Sequence, residues 1–409
     1  MTDSNVWIVG GVQTDFARNA VRAGLDYGGL TAEVVEGTLA AAGIPAGEIG
    51  VVHVGNAFGE IFAGQGHLGA MPAAVAPELW EVPAIRHEAA CASGSTAILA
   101  AVADLRSGAY DSALVVGVEL EKTVPGDDAS RNLGAAAWIG HEGQDAKFMW
   151  PYMFAAIADE YDRRYGLDDT HLHRIAEINF ENASGNPLAQ TRDWEIPKLS
   201  VDGGDDTVNP IVEGRLRRYD CSQITDGGAG LVLVNDAYLR EHPSVSPIAR
   251  LAGWGHRTVG LGLADKFARS ADDPYVFPHV RNTVLDAFRR AQVEIDDVDG
   301  LETHDCFTIS EYFAIDHFGL TPPGESWKAI DGGFIEIDGA FPINPSGGLI
   351  GGGHPVGATG VRMVLDAARQ VSDTAGDCQV DGARTFATLN IGGSTSTTVS
   401  FVVTEAEID

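Results

Sequence analysis

Three short segments of this chain carry residue types able to do covalent and proton chemistry. One is Gly351-Gly352-Gly353-His354-Pro355-Val356-Gly357-Ala358-Thr359-Gly360, which sets a single imidazole in a glycine-dense turn. Such a turn lets backbone and substrate approach closely, and Pro355 restricts the chain just after the histidine. Another is His87-Glu88-Ala89-Ala90-Cys91-Ala92-Ser93-Gly94-Ser95-Thr96, with a thiol ahead of a helix expected to begin near Ala97. The positive end of a helix dipole favours thiolate, and so nucleophilicity, and the small residues 92–94 leave room for a substrate. The third is His304-Asp305-Cys306-Phe307-Thr308, where two proton-carrying groups lie two residues apart. The Cys91 and His304–Cys306 loops supply the partners that the imidazole of His354 would need as a base. Each segment also has a duller reading: a core histidine, an inert buried cysteine, a pair of metal ligands. No other Cys or His near His304 and Cys306 has ligand spacing, which argues against a metal.

Positioning these loops takes strands and helices in alternation. Val6–Val9, Val51–Val54, 113–118 and 298–303 read as strands, and 30–42 as a helix. Ile98, Ala101, Val102 and Leu105 fall on one helical face ending at Gly108, as do Val361, Val364, Leu365 and Ala368. Thr308 with Glu311 has the spacing of a capping box for a helix after the third loop. A histidine and a cysteine between a strand end and a helix start are where open α/β folds place their sites. The pattern predicts an α/β architecture with sheets covered on both faces. Ile224-Thr225-Asp226-Gly227-Gly228 before Leu231–Val234 is echoed by Asn390-Ile391-Gly392-Gly393-Ser394 before Val399–Val403, which suggests two related halves. The halves are set at 1–245 and 246–409, with an insertion over about 119–220 laid on the first half. Long ordered insertions are often functional.

Composition narrows the class. At 409 residues the chain supports about two domain-sized units. It carries 27 basic and 58 acidic residues, net −31, with Lys122, Lys147, Lys198, Lys266 and Lys328 as its lysines. That field excludes nucleic acid and anionic membranes as natural partners. It is also the balance of proteins from salty surroundings, or simply of an acidic protein. No apolar run nears a membrane span, and the acidic amino terminus lacks the basic region of a signal peptide, so a cytoplasmic protein is expected. Cys91, Cys221, Cys306 and Cys378 show no paired spacing. Cys221 and Cys378 are assigned no role, and His171 and His173 are read as surface helix residues.

Taken together and in order, the Cys91 loop, the HDCF loop at 304–307, the Gly353-His354-Pro355 loop and the Asn390-Ile391-Gly392-Gly393 turn resemble the four catalytic loops of thiolases. Asp220-Cys221-Ser222-Gln223-Ile224-Thr225-Asp226-Gly227 extends the match, and the HDCF form is similar to the sterol-carrier-protein-2 type and its archaeal and bacterial relatives. The resemblance implies the thiolase fold: five layers, αβαβα, from two duplicated halves with an inserted loop domain. It implies a dimer or tetramer acting on acyl-CoA, with coenzyme A as co-substrate and no permanently bound cofactor or metal. A small OB-fold partner protein accompanies some relatives.

By the same resemblance Cys91 is the nucleophile and His354 its base, and His304 and His354 hold the enolate oxygen. The amides of Cys91 and Gly392 form the oxyanion hole, and Ser346, Gly347, Met153 and Asn390 touch substrate. The chain departs from the commoner pattern at Asn390, where most thiolases carry a proton-shuttling cysteine. An amide does not exchange protons usefully near neutrality, so Cys306 takes that role. Phe148, Met149, Trp150, Met153 and Phe154 line an acyl channel or pack the insertion, packing being the reading preferred here. Arg215, Arg217 and Arg218 are candidates for the CoA phosphates, or else a solvated basic turn. Other readings are a decarboxylating ketoacyl synthase, a retro-aldolase, or an acyl-CoA-binding scaffold without turnover.

Overall fold

The computed structural model describes residues 4–407. Residues 1–3, on which the reading of the amino terminus rests, lie outside the described residues, as do 408 and 409. Nine strands form one mixed sheet: β1 (Val6–Gln13), β2 (Val51–Gly55), β3 (Ala84–His87), β4 (Ser112–Glu119), β5 (Gly227–Asn235), β6 (Ala249–Thr258), β7 (Gly300–Thr303), β8 (Thr385–Gly392) and β9 (Thr397–Glu405), in the spatial order β3-β2-β4-β5-β1-β6-β9-β8-β7. The two halves of the sheet join where β1 pairs with β6, through the register Trp7↔Arg250 and Ile8↔Ala249 alone.

Alternation along the strands builds the layers. On β4 and β5, Leu114, Val116, Val232 and Val234 face the helix Tyr27–Ala42, packing on its Leu30, Val34 and Val35. Their neighbours Val115, Leu231 and Leu233 face inward, toward the helices Ser93–Ser107 and Val356–Val371. Phe386, Val399 and Phe401 of the second half close on the same two helices from the other side. Leu301, Ala387, Leu389 and Val402 point outward, onto the helices Pro278–Ala291 and Thr308–Phe318. The order is therefore helix, sheet, helices, sheet, helices, with period-2 strands covered on both faces. Val356–Val371 is buried almost throughout, which its amphipathic reading understated.

Close backbone approach fixes this central layer. A Cβ on Gly360 would lie 2.2 Å from Ser95 Oγ and 2.5 Å from Ser95 N, and one on Gly117 would lie 2.6 Å from the Gly357 carbonyl. Only glycine fits there, so the loop carrying His354 and the turn carrying Cys91 are locked face to face.

The segment 119–220 differs from its sequence reading. Its long elements are the helices Met149–Tyr165 and Asp169–Gly185, flanked by long loops. Ile157, Tyr161, Ile175 and Ile178 pack with Ile309, Tyr312 and Phe313, so its long helices cover the outer helices of the second half, while Ala129 and Leu133 pack with Phe58 and Phe62 of the first. The hydrophobic stripe of each long helix needs an apolar partner, and the Thr308–Phe318 helix supplies it. No helix among the described residues is long and apolar enough to cross a membrane.

The net charge of −31 makes a direct forecast. Self-repulsion destabilises the compact state and salt screens it. The thermal midpoint should rise by roughly 5 °C between 0.05 and 1 M NaCl, on the order of 4 kcal/mol. A midpoint unchanged or lowered across that range in a melting experiment would show that local ion pairs dominate.

Candidate active site

Cys91 sits on a sharp turn between β3 and the helix Ser93–Ser107. The preceding Ala90 has φ 51°, a left-handed conformation that costs a non-glycine residue energy. Ser93 staples this turn, its Oγ donating to the Ala90 carbonyl at 2.6 Å and accepting the Ala89 amide at 3.0 Å. The helix begins at Ser93, four residues earlier than its apolar stripe suggested.

His304 follows β7 directly, and its amide donates to the Leu389 carbonyl of β8 at 2.8 Å. Asp305 turns away from the cavity and accepts the amides of Leu349 at 2.6 Å and Ile350 at 3.1 Å, tying this loop to the glycine loop of His354. The predicted capping box is absent. Thr308 Oγ1 donates to Asp220 at 3.0 Å, and Glu311 accepts from Asn179 at 2.7 Å and Asn344 at 2.8 Å. Long-range partners have taken both side chains, and Phe307 stands at the N-cap position without a side-chain bond.

His354 is placed by Gly353, at φ 111°, and by its own amide, which donates to Thr225 Oγ1 at 2.9 Å. Pro355 gives the next helix no side-chain cap. Instead Glu121 accepts the Val356 amide at 2.9 Å and Glu119 the Gly357 amide at 3.1 Å, two carboxyl groups at the positive end of one helix. Burial holds the Glu119 carboxyl up at about 6 and pushes Glu121 well above the carboxylate range.

These elements converge. Reactive atoms of Cys91, His304 and His354 lie within 4.8 Å of one another, and the two imidazoles meet edge to face at 5.1 Å. Cys91, Cys306 and His354 line one cavity of about 270 Å³, walled by Phe58, Phe148, Trp150, Phe154 and Phe307.

The hydrogen bonds assign opposite tautomers to the two histidines. Thr359 Oγ1 donates to the Pro355 carbonyl at 2.9 Å, so at 2.7 Å it accepts from His354 Nδ1–H. That leaves His354 Nε2 free to take a proton. Ser95 Oγ donates to Asn390 Oδ1 at 2.8 Å, which turns the Asn390 amide to donate to His304 Nδ1 at 3.0 Å. His304 Nε2 therefore carries a hydrogen and is a donor. Burial keeps both rings neutral, His354 near 3 and His304 well below its ordinary value.

The dipole reading of Cys91 does not hold for the resting thiol. Burial and the nearby Glu121 push it up to about 12, outweighing the Gly393 amide that reaches the sulfur. Cys306 is likewise raised by burial, with Cys91 second. The resting site is a neutral thiol beside a neutral imidazole. Its three reactive atoms could also hold a metal ion, but one imidazole free to accept and one free to donate, beside a thiol, suit proton transfer.

Residues 6–237 match the family description "Thiolase, N-terminal domain" and residues 264–405 match "Thiolase C-terminal domain-like". The chain belongs to the thiolase family. It is 31% identical over 395 residues to an acetyl-CoA acetyltransferase of Methanothermobacter thermautotrophicus, covering 96% of this chain and 97% of the relative. It is 27% identical over 401 residues to sterol carrier protein 2 of Homo sapiens, covering 95% of this chain and 70% of that protein. Among solved structures its fold is similar to an Ltp2-ChsH2(DUF35) aldolase, with TM-score 0.74, 18% identity and 99% of each chain covered. It is also similar to human mitochondrial 3-ketoacyl-CoA thiolase in complex with CoA, with TM-score 0.71, 14% identity, and 99% and 98% covered.

Other expected thiolase positions fall elsewhere. Ser346 is buried in an ion-pair network, donating to Glu302 at 2.7 Å and accepting from Arg362 at 2.8 Å, away from the cavity. Gly347, at φ 95°, backs onto Ala183. Met153 is buried in the outer helical core, whereas Phe148, Trp150 and Phe154, read as packing, form cavity wall. Asn390 orients His304 instead of lining the cavity. Gly392 and Gly393 both border a neighbouring groove with Ala89 and Ala90, and Gly393 alone of the two also lines the cavity, where its backbone N–H acts on the Cys91 sulfur. Arg215 is paired with Asp169 at 2.7 Å and Arg217 with Asp206 at 2.7 Å; Arg218 lines the cavity. His173 is buried, not a surface residue, and His171 pairs with Asp331 at 3.2 Å.

Cys221 and Glu121 are among the cavity residues that escaped the sequence reading. Cys221 lines it because its backbone bridges Phe307, with the Ser222 amide donating to the Cys306 carbonyl at 2.9 Å. Glu121 lines it as well. The signal for Glu121 was a carboxylate two residues beyond the apolar strand 112–119, where a buried strand delivers its next side chains to a site.

Proposed function

We propose that this thiolase-type acyltransferase cleaves 3-oxoacyl-CoA with free coenzyme A, or in reverse condenses two acetyl-CoA to acetoacetyl-CoA, through an acyl group on Cys91. The observation that carries the reading is the single aromatic-walled cavity holding Cys91, Cys306 and His354. His354 Nε2 takes the thiol proton as the Cys91 sulfur attacks the 3-oxo carbon, so that a thiolate never stands free beside Glu121. The bond between C2 and C3 then breaks and its electron pair leaves as the acetyl-CoA enolate. His304 Nε2–H and the newly protonated His354 donate to the enolate oxygen. Cys306 gives its proton to C2, releasing acetyl-CoA. The Cys306 thiolate then takes the proton of incoming CoA, whose sulfur attacks the acyl-Cys91 carbonyl. The Cys91 amide and the Gly392–Gly393 turn stabilise the oxyanion, and His354 returns its proton to the departing Cys91 sulfur.

Arg218 at the cavity is the candidate for the anionic part of coenzyme A. A homodimer or homotetramer belongs to the same proposal. So does a small OB-fold partner protein, supported by the likeness to the Ltp2-ChsH2(DUF35) aldolase. Turnover of acetoacetyl-CoA and longer 3-oxoacyl-CoAs with free CoA, at low and molar salt, tests the activity. No CoA-dependent cleavage of any of them would overturn it.

Cys306→Ala separates the two proton jobs. It should lower condensation and solvent exchange at C2 of acetyl-CoA by about 10²–10³-fold, while Cys91 still becomes acylated. Normal exchange, followed by NMR in deuterated buffer, would exclude Cys306 as the shuttle.

A further inference from the structure

The turn that brings the Gly393 amide to Cys91 is held from behind by a buried lysine. Lys266, on the short helix Leu263–Arg269, is 6% exposed, one of five lysines in an acidic chain. Its Nζ donates to the Ser394 carbonyl at 2.5 Å, Ser394 Oγ at 2.8 Å, Ser396 Oγ at 2.9 Å and the Leu261 carbonyl at 3.1 Å. Every one of these acceptors is a neutral oxygen, so a buried ammonium is solvated by the turn and not by a carboxylate. Such burial is costly unless the surrounding groups are well placed. Between the two serines, Thr395 has φ 66°, and both its carbonyl and its hydroxyl lie 3.0 Å from His279 Nε2. A non-glycine residue persists in that region only where its surroundings over-determine it.

The four residues 393–396 thus have two faces. One presents an amide to the nucleophilic sulfur. The other is gripped by Lys266 and His279. We propose that Lys266 is a positioning residue for acyl transfer, fixing Ser394 and Ser396 so that the Gly393 amide stays aimed at Cys91. The inference rests on the reading of Cys91 as the nucleophile.

Lys266 also borders a separate cavity of about 430 Å³ with Gly260, Asp265, Arg269 and His279, giving it a path to exchange protons. Burial pulls it down to about 8, partly offset by Glu142, whose carboxylate accepts the Leu263 amide at 2.7 Å. The charged or titratable groups facing it are Glu142, Asp265, Arg269 and His279, and burial keeps His279 neutral, near 4. Below about pH 8 the grip is ammonium; above it a donor is lost and the turn loosens.

The test uses Lys266→Met and Lys266→Arg in the full chain, with steady-state thiolysis, thermal midpoints and pH profiles. Lys266→Met should lower kcat about 100-fold with KM within about twofold, the effect of a misaimed group. Lys266→Arg keeps a charge that does not titrate. It should recover most of kcat and remove the decline that wild type shows above about pH 8. Unchanged kcat in Lys266→Met, or a rise in KM alone, overturns the proposal. Should Lys266→Met fail to fold, a decline at pH 8 that persists in Lys266→Arg overturns it instead. Cys91→Ala, run alongside, distinguishes the failures: turnover without Cys91 sinks the nucleophile assignment, whereas loss there beside full activity in Lys266→Met sinks the lysine alone.

Discussion

Replacing Cys91 by alanine is expected to lower thiolysis of acetoacetyl-CoA by about 10⁴-fold or more, as removal of a nucleophile that acts in concert with its base does. The wild-type protein incubated with acetyl-CoA should gain an acetyl mass on the peptide holding Cys91, and on neither the Cys221 nor the Cys306 peptide. Selectivity among three thiols in one cavity follows from the geometry. Cys91 lies with both imidazoles inside a 4.8 Å cluster, whereas Cys306 has Ser310 Oγ at 3.9 Å and Cys221 reaches the Arg217 carbonyl at 3.3 Å. Acylation of Cys306 instead would reverse the roles of the two sulfurs. Residual turnover approaching wild type would remove the covalent mechanism.

His354→Ala is expected to cost about 10²–10⁴-fold in kcat/KM, with a change in the pH profile that identifies the cause. In wild type, burial holds the imidazole near 3, so its base form is present throughout the neutral range. Activity should therefore be flat from about pH 5 to 8, with no fall near the ordinary histidine value of about 6.5. Without the base, attack depends on the small fraction of Cys91 already ionised. That thiol is pushed up to about 12, so ionisation increases with pH across the whole accessible range. The variant should gain close to tenfold per pH unit, and a flat profile in it would show that another group deprotonates Cys91.

The legible parts of the site were those whose function is written in local backbone chemistry. A cysteine followed by Ala-Ser-Gly, and a histidine between three glycines and a proline, announce tight turns at helix starts, and the structure has them there. Their order along the chain carried the fold. What could not be read was set by distant partners. Thr308 and Glu311 have capping-box spacing, yet Asp220, Asn179 and Asn344 claim them across 88, 132 and 33 residues. Ser346 disappears into the Glu302–Arg362 pair. Met153 turns inward while Phe154, its neighbour, stacks on Phe307 at 4.6 Å and becomes wall, a distinction of helical phase that composition does not contain. Asn390 was recognisable as a missing shuttle but not as the group that sets the His304 tautomer, because Ser95, which orients it, lies 295 residues away.

The glycine contacts between the Cys91 turn and the His354 helix have a further consequence. Nucleophile and base are borne on opposite walls of a joint whose two sides approach at glycines, main chain close against main chain, with little side chain between them to yield. Such a joint tolerates almost no slack. A small rotation of one half against the other separates sulfur from imidazole well before either sheet unravels. Under mild denaturant or gentle heating, catalytic competence should vanish while circular dichroism still looks native, so the chemistry reports the alignment of the two halves more sensitively than the fold does.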